Sequence, residues 1–190
     1  IMLLIIGLGN PGPQFKNTPH NIGFEVLDFF IKKNNLPRWE NKKRLRAKIS
    51  RAKLKNKEII LAKPQTFMNS SGQATALLAS FFRISPANIF VVHDDLYLPL
   101  GRIKISKGHG SAGHKGVQSV IDSLGTKEFI RLRIGVDVGE NKTRKEDLVL
   151  KKFSRKQKQT IKQAKEIACK AIEETIIYSP EHAMSQFNRK

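Results

Sequence analysis

The chain has 190 residues, 39% of them hydrophobic, enough for one domain with a sizeable core, and no apolar run is long enough to span a bilayer. Its 35 Lys and Arg stand against 16 Asp and Glu, a formal charge of +19, which points to a polyanionic partner and most simply to nucleic acid. The single cysteine, Cys169, rules out an internal disulfide, suits a reducing cytosol, and reads as a small core residue among helix formers.

Residues 3–8 read as a buried first strand, too short and without the basic flank of a signal peptide. A Gly/Pro/Asn-rich loop follows, to about His20. From Asn21, apolar residues at Ile22, Val26, Leu27 and Phe30 predict an amphipathic helix, stopped by Asn34, Asn35 and Pro37. Residues 38–57 are intensely basic, with Glu40 the one acid. There Leu45, Ala47 and Ile49 alternate with cations, then the phase slips by one to Ala52 and Leu54. This predicts a strand with a bulge near Ser50, paired with "EIILAKP".

"NSSGQATALLASFFRI" predicts a helix ended before Pro86, and "NIFVVHDD" a central strand with acids at its C-terminal end. "GRIKISKG" alternates as a strand. "GSAGHKGVQSVIDSLG" is a glycine loop feeding a helix that stops at Gly125, and "FIRLRIGV" is a further strand. Residues 155–178 form a helix with Ile161, Ala164, Ala168, Ala171, Ile172 and Thr175 on one face. Lys158, Lys162 and Lys165 line another. Strands interleaved with helices give a single α/β domain over 1–190, a mixed twisted sheet flanked by helices.

"GLGNPG" at residues 7–12 spells GxGxxG, yet it does not read as a dinucleotide loop. Such a loop opens a helix whose free N–H groups hold pyrophosphate, with an acid about twenty residues on. Here Pro11 and Pro13 remove two donors, "PQFKNTPH" looks like loop, and "FFIKKNN" stands where the acid is wanted. The glycines instead shape a tight strand exit that displays Asn10, whose amide both donates and accepts. "NTPHNIGF" places His20 before one helix, "QTFMNSSG" places Asn69 before another, and "VVHDDLYLPLG" places Asp94 at a strand end. Ligands in open α/β sheets gather outside the carboxyl ends of strands, where Asn10, His20 and Asp94 would meet. His93, Asp94 and Asp95, with His109 or His114, also suggest a metal site. Neighbouring strand residues point to opposite faces, however, so His93 and Asp94 would not converge on one ion, and no metal is expected.

Six segments, "GLGNPG", "HNIGFEVLD", "KPQTFMNSSG", "VVHDDLYLPLG", "GSAGHKG" and "RLRIGV", run in order to about residue 138. With them the chain resembles the bacterial peptidyl-tRNA hydrolase family. The resemblance implies cleavage of the ester joining a peptide to the 3′ ribose of tRNA, recycling stalled tRNA in the cytoplasm, by a monomer needing no metal or organic cofactor. His20 matches the family's base, Asp94 its supporting carboxylate, and Asn10 the amide that demands an acylated amino group. Phe67 and Asn69, with Met68 between them, match the peptide and acceptor-end groove, and Arg133 matches a contact to the tRNA 5′ phosphate. The chemistry suits these residue types: an imidazole activates water, a carboxylate fixes its tautomer, and amides meet the developing oxyanion. No serine or cysteine nucleophile is required, and GxSxG does not occur.

Three positions depart from the family pattern. Phe15 stands where a tyrosine is common and keeps only the stacking surface. Lys115 replaces an asparagine; a cation cannot accept a hydrogen bond but could hold phosphate or the oxyanion. Ser106 replaces a basic 5′-phosphate contact, with Lys104 and Lys107 nearby to compensate. Acceptance of many tRNAs calls for backbone-phosphate binding, first by Lys104, Lys107, Lys115, Arg133 and the 155–178 lysines. The 38–57 strand is either more of that tRNA surface or an edge strand guarded by lysines. The alternative function is a non-catalytic RNA-binding protein on the same scaffold, resembling a splicing factor.

Overall fold

Four apolar runs supply the middle of the sheet. They are β1 (Leu3–Gly7), β4 (Lys57–Pro64), β5 (Ile89–Pro99) and β7 (Ile130–Asp137), and all four are parallel. Shorter strands β2 (Glu40–Lys42), β3 (Ala47–Leu54) and β6 (Ile103–Lys107) join antiparallel, giving the order β2-β3-β4-β1-β5-β7-β6. The structure, a computed structural model, describes residues 2–139 and 149–188. Helices cover both faces, which is why the central strands are apolar on both sides. Ile5, Phe90 and Val92 pack with α1 (Ile22–Lys33) and α4 (Arg155–Ile177). Leu4, Ile6 and Val91 pack with α2 (Ser71–Phe82) and α3 (Lys115–Leu124).

The expected bulge near Ser50 is absent. β3 pairs with β4 in unbroken register from Ala47 opposite Pro64 to Leu54 opposite Lys57. Ala47 and Ile49 face the α2/α3 core, whereas Ser50, Ala52 and Leu54 face the α1/α4 side. The one-residue slip in the hydrophobic pattern is therefore a change of covered face. Ser50, on the turning point, donates its hydroxyl to the Pro37 carbonyl at 2.6 Å. A further helix, α5 (Pro180–Phe187), follows α4 and is not foreseen in the sequence. Ser179 caps it, accepting from His182 N–H at 3.1 Å. Beyond it, the Asn188 amide bonds both the N–H and the C=O of Ile105 at 2.8 Å, covering the outer edge of β6. Cys169 is buried, as expected, and burial pushes its thiol up to about 12, so it is inert.

Two glycines set how α1 meets the sheet. A Cβ on Gly7 would lie 2.4 Å from the Gly23 carbonyl oxygen, and a Cβ on Gly23 only 2.3 Å from the Val92 carbonyl oxygen. The start of α1 thus rests directly on the exits of β1 and β5. Residues 13–21 form two short 3₁₀ turns ahead of α1, so no helix N-terminus follows the glycine motif as a dinucleotide loop would need.

Gly23→Ala is expected to destabilise the fold by about 2–3 kcal/mol or more, because the obstructing atoms are backbone and cannot yield. Urea unfolding measures it; a loss of under about 0.5 kcal/mol would show that the contact is not tight.

Candidate active site

The carboxyl ends of β1 and β5 open into a cleft of about 510 Å³. Asn10, His20 and Asp94, which the strand-exit argument brings together, line it, as do Phe67, Met68, Asn69 and Lys115, which the resemblance named. At its floor is Asp94, 1% exposed. His20 Nδ1 lies 2.8 Å from Asp94 Oδ2, and His114 Nε2 lies 2.8 Å from Asp94 Oδ1. Burial is the largest influence on this carboxyl and would raise it. The two imidazoles, His114 foremost, outweigh burial and hold the group well below the usual carboxylate range.

Hydrogen bonding fixes both ring tautomers. His114 is the N-cap of α3, and its Nδ1 accepts from the backbone N–H groups of Gly116 at 3.1 Å and Val117 at 3.2 Å. The proton therefore sits on Nε2 and is donated to Asp94. His20 faces the other oxygen through Nδ1, so Nδ1 carries its proton and Nε2 its lone pair. The turn Pro19–Asn21 holds that ring in place, with His20 N–H donated to the Val149 carbonyl at 3.0 Å. The two rings are 5.1 Å apart.

Asn10 is equally constrained. Its backbone N–H donates to Asn21 Oδ1, and its carbonyl accepts from Asn21 Nδ2, both at 2.9 Å. Its side-chain oxygen accepts from Met68 N–H at 2.8 Å. The amide cannot flip without losing that bond, so Nδ2 is the donor left for a ligand. Met68 in turn rests on Gly116, where a Cβ would lie 2.3 Å from its sulfur. Phe67 is 60% exposed at the cleft, and Phe15 meets it edge-on at 6.5 Å without itself lining the cleft. Asn69 and Lys115 are exposed on the cleft wall, at the starts of α2 and α3.

The remaining cations lie apart. Arg133 donates Nε to Asp95 Oδ2 at 2.6 Å, outside the cleft lining. Lys104 is its cross-strand partner, on the same sheet face. Lys107 sits opposite Ile130, at the other end of β7 and on the other face. It neighbours Glu181, so it does not form one cationic site with Lys104. On α4, Lys158 and Lys162 are exposed, but Lys165 is paired with Glu25 at 3.0 Å.

Three residues have roles that the sequence reading does not give. His114 enters there only as a possible metal ligand; its signal is a histidine at the last loop position before a helix. Asn21, which fastens the Asn10 loop, looks like an ordinary helix start. His93 is buried, and that burial, with His114 and the Arg131 guanidinium nearby, pushes its imidazole well below the ordinary range. It is thus neutral, its Nδ1 donating to the Asp94 carbonyl at 2.6 Å.

His20, Asp94 and His114 do bring three ligand atoms within 4.8 Å of one another, a different set from the one the sequence suggested. The donor chemistry does not suit a cation: both facing imidazole nitrogens carry protons, and His114's lone pair is spent on α3. The arrangement is a carboxylate orienting one imidazole whose outer nitrogen is basic, in a cleft rimmed by aromatic and amide groups. That is equipment for activating a water molecule.

A family model described as peptidyl-tRNA hydrolase matches residues 4–190. The chain is 39% identical over 187 residues to a peptidyl-tRNA hydrolase of Clostridium botulinum (strain Eklund 17B / Type B), covering 98% of this chain and 96% of that one. It is 39% identical over 196 residues to that of Aquifex aeolicus (strain VF5), with the same coverage. The crystal structure of peptidyl-tRNA hydrolase from Acinetobacter baumannii superposes with a TM-score of 0.92 at 29% identity, covering 99% of this chain and 95% of that one.

A carboxylate held low in the fold contributes stability fully above its unfolded pKa of about 3.9, and loses it as pH falls through the lower folded value. The stability difference between wild type and Asp94→Asn is expected to stay level from about pH 6 to 8 and to shrink below about pH 4. Urea unfolding at each pH measures it; a difference indifferent to acid would mean that Asp94 is not stabilised as described.

Proposed function

This chain belongs to the peptidyl-tRNA hydrolase family, hydrolases of the ester bond of peptidyl-tRNA, and we propose that His20 is its general base, oriented by Asp94. The observation that carries this reading is the hydrogen bond from His20 Nδ1 to a buried carboxylate, which leaves Nε2 basic at the cleft. Water gives a proton to Nε2 while its oxygen attacks the ester carbonyl carbon. The tetrahedral intermediate then expels the ribose 3′ oxygen, which takes the proton back from His20. Asp94 steadies the imidazolium between the two transfers. His114, by filling the second Asp94 oxygen, keeps that carboxylate ionised and still.

Asn10 Nδ2 serves the acyl part of the substrate. Because Met68 N–H already holds its oxygen, it meets a carbonyl or the developing oxyanion and not an amine. That is a physical basis for demanding an acylated amino group, since a free ammonium would face a donor. Phe67 and Phe15 offer faces on which a terminal base can stack. Asn69 and Met68 line the peptide path. Lys115, where an asparagine is usual, takes a terminal phosphate or the oxyanion. Lys104 and Arg133 contribute to phosphate binding, Arg133 while paired with Asp95. The enzyme acts in this reading as a cofactor-free monomer, one domain over 1–190, in the cytoplasm. No described helix is long and apolar enough to cross a membrane. A purely RNA-binding role would leave the buried His20–Asp94–His114 arrangement without a use.

His20→Ala is expected to lower turnover of peptidyl-tRNA by about 10²–10⁴-fold while tRNA binding persists, as single-turnover assays and a binding titration would show; an unchanged rate would end the base assignment. Asn10→Asp keeps the acceptor for Met68 N–H but removes the Nδ2 donor. It should cost about 10²-fold or more in kcat/KM, and wild-type kinetics would dismiss the role given to Nδ2.

A further inference from the structure

We infer that the upper part of the β2–β3 edge, carrying Lys43, Arg44, Arg46 and Lys48, is a second RNA-binding surface for the phosphodiester backbone of the bound tRNA. The inference rests on the substrate proposed above and adds a surface to it.

Residues 38–58 hold ten cations, Arg38, Lys42, Lys43, Arg44, Arg46, Lys48, Arg51, Lys53, Lys55 and Lys57, against Glu40 and Glu58. The two acids are spent: Glu40 on Lys42 at 2.7 Å, Glu58 on Arg51 at 3.6 Å. Among the described residues, Lys43, Arg44, Arg46 and Lys48 have no carboxylate partner, and all four are exposed.

Protection of a sheet edge accounts for only part of this charge. β2 covers β3 from Ala47 to Ile49 and no further, so the outer side of β3 is open beyond Ile49. Arg51, Lys53 and Lys55 flank that open ladder and guard it against pairing. The open ladder at this end is only the three residues of β2, Glu40–Lys42, and none of the four upper cations lies on it. Lys43 and Arg44 lie on a 3₁₀ turn, Arg46 follows it, and Lys48 sits where β2 already pairs.

The position of the upper group supplies its use. β3 runs antiparallel to β4, and Ala47 faces Pro64, so these cations sit at the same end of the sheet as Asp94. Three interstrand steps separate β1 from β2, about 14 Å. Two grooves adjoin the cleft on opposite faces of the sheet. One, between α2 and α3, shares Asn69 and Lys115 with it and is also lined by Gln73, whose side-chain oxygen takes the Arg46 guanidinium. The other, on the α1 side, includes Asn10, Lys48 and Lys63 together with Glu25 and Asp28, which are engaged by Lys165 and Lys63. A cationic strip joined to a cleft that acts on an RNA ester fits the phosphates of that RNA better than it fits an acidic protein.

The test compares two variants of equal charge loss, Lys43→Gln/Arg44→Gln/Lys48→Gln and Arg51→Gln/Lys53→Gln/Lys55→Gln, by titrating uncharged tRNA at several salt concentrations. The first is expected to weaken binding tenfold or more at about 0.1 M salt and to make the slope of log K against log salt shallower by about 2–3. The second should change affinity by less than about twofold. Equal weakening by both would reduce the effect to the general field of the protein. No weakening by the first would give the strip to another partner, such as an acidic protein, and either result overturns the inference. Turnover is read separately, so a wild type that binds tRNA but leaves peptidyl-tRNA intact overturns the catalytic reading alone.

Discussion

The arrangement of the cleft follows from one buried carboxylate. Asp94 lies in the buried half of β5, after the fully covered Ile89–Val92 and the buried His93, so its charge has no water to satisfy it. Each oxygen instead takes one imidazole N–H, and those two bonds dictate what surrounds them. His20 must come to one side, which requires α1 to start against the sheet, which requires Gly7 and Gly23 to touch. His114 must come to the other, which sets where α3 begins and leaves room only for a glycine at 116 beside Met68. Met68 N–H then fixes the Asn10 amide. The chemistry at the surface of the cleft is thus the outer layer of a chain of contacts that begins with desolvation.

Much of this fold can be read from the chain, because alternation and apolar runs report burial directly. β1, β4, β5 and β7 are recognisable for that reason, as are α1 and α4. The strand around Ser50 misleads because a pattern of period two cannot distinguish a bulge from a strand whose two halves are covered on opposite faces; only the neighbouring helices decide. Helix α5 is hidden by its shortness and weak apolar stripe, although Ser179-Pro180-Glu181 is a good start signal. At the site, Asn10, His20 and Asp94 are legible since the motifs that carry them follow or close apolar runs at the same end of the sheet, although β5 continues past Asp94 to Pro99. His114 is not, because its role depends on a nitrogen accepting from its own helix. Lys107 looks adjacent to Lys104 in sequence, yet pleat and register send it to the other face and the other end.

The net charge of +19 is unevenly employed. Some cations are internal fasteners: Lys165 ties α4 to Glu25 in α1, and Arg133 is held by Asp95 beneath the cleft wall. Others border strands that would otherwise add a neighbour. Among those without an acid partner are the group around Lys43–Lys48 and, on the outside of α4, Lys158 and Lys162. A count of lysines therefore overstates the surface available to a polyanion, because a paired cation is not free to bind one.

The bonds from Gly116 and Val117 to His114 Nδ1 make the first turn of α3 continuous with the acid–base apparatus. Two backbone amide protons, in a helix that otherwise looks purely architectural, are consequently spectroscopic witnesses to whether that apparatus is assembled. Their exchange with deuterated solvent would slow or quicken with the integrity of the histidine–carboxylate linkage, with no substrate present.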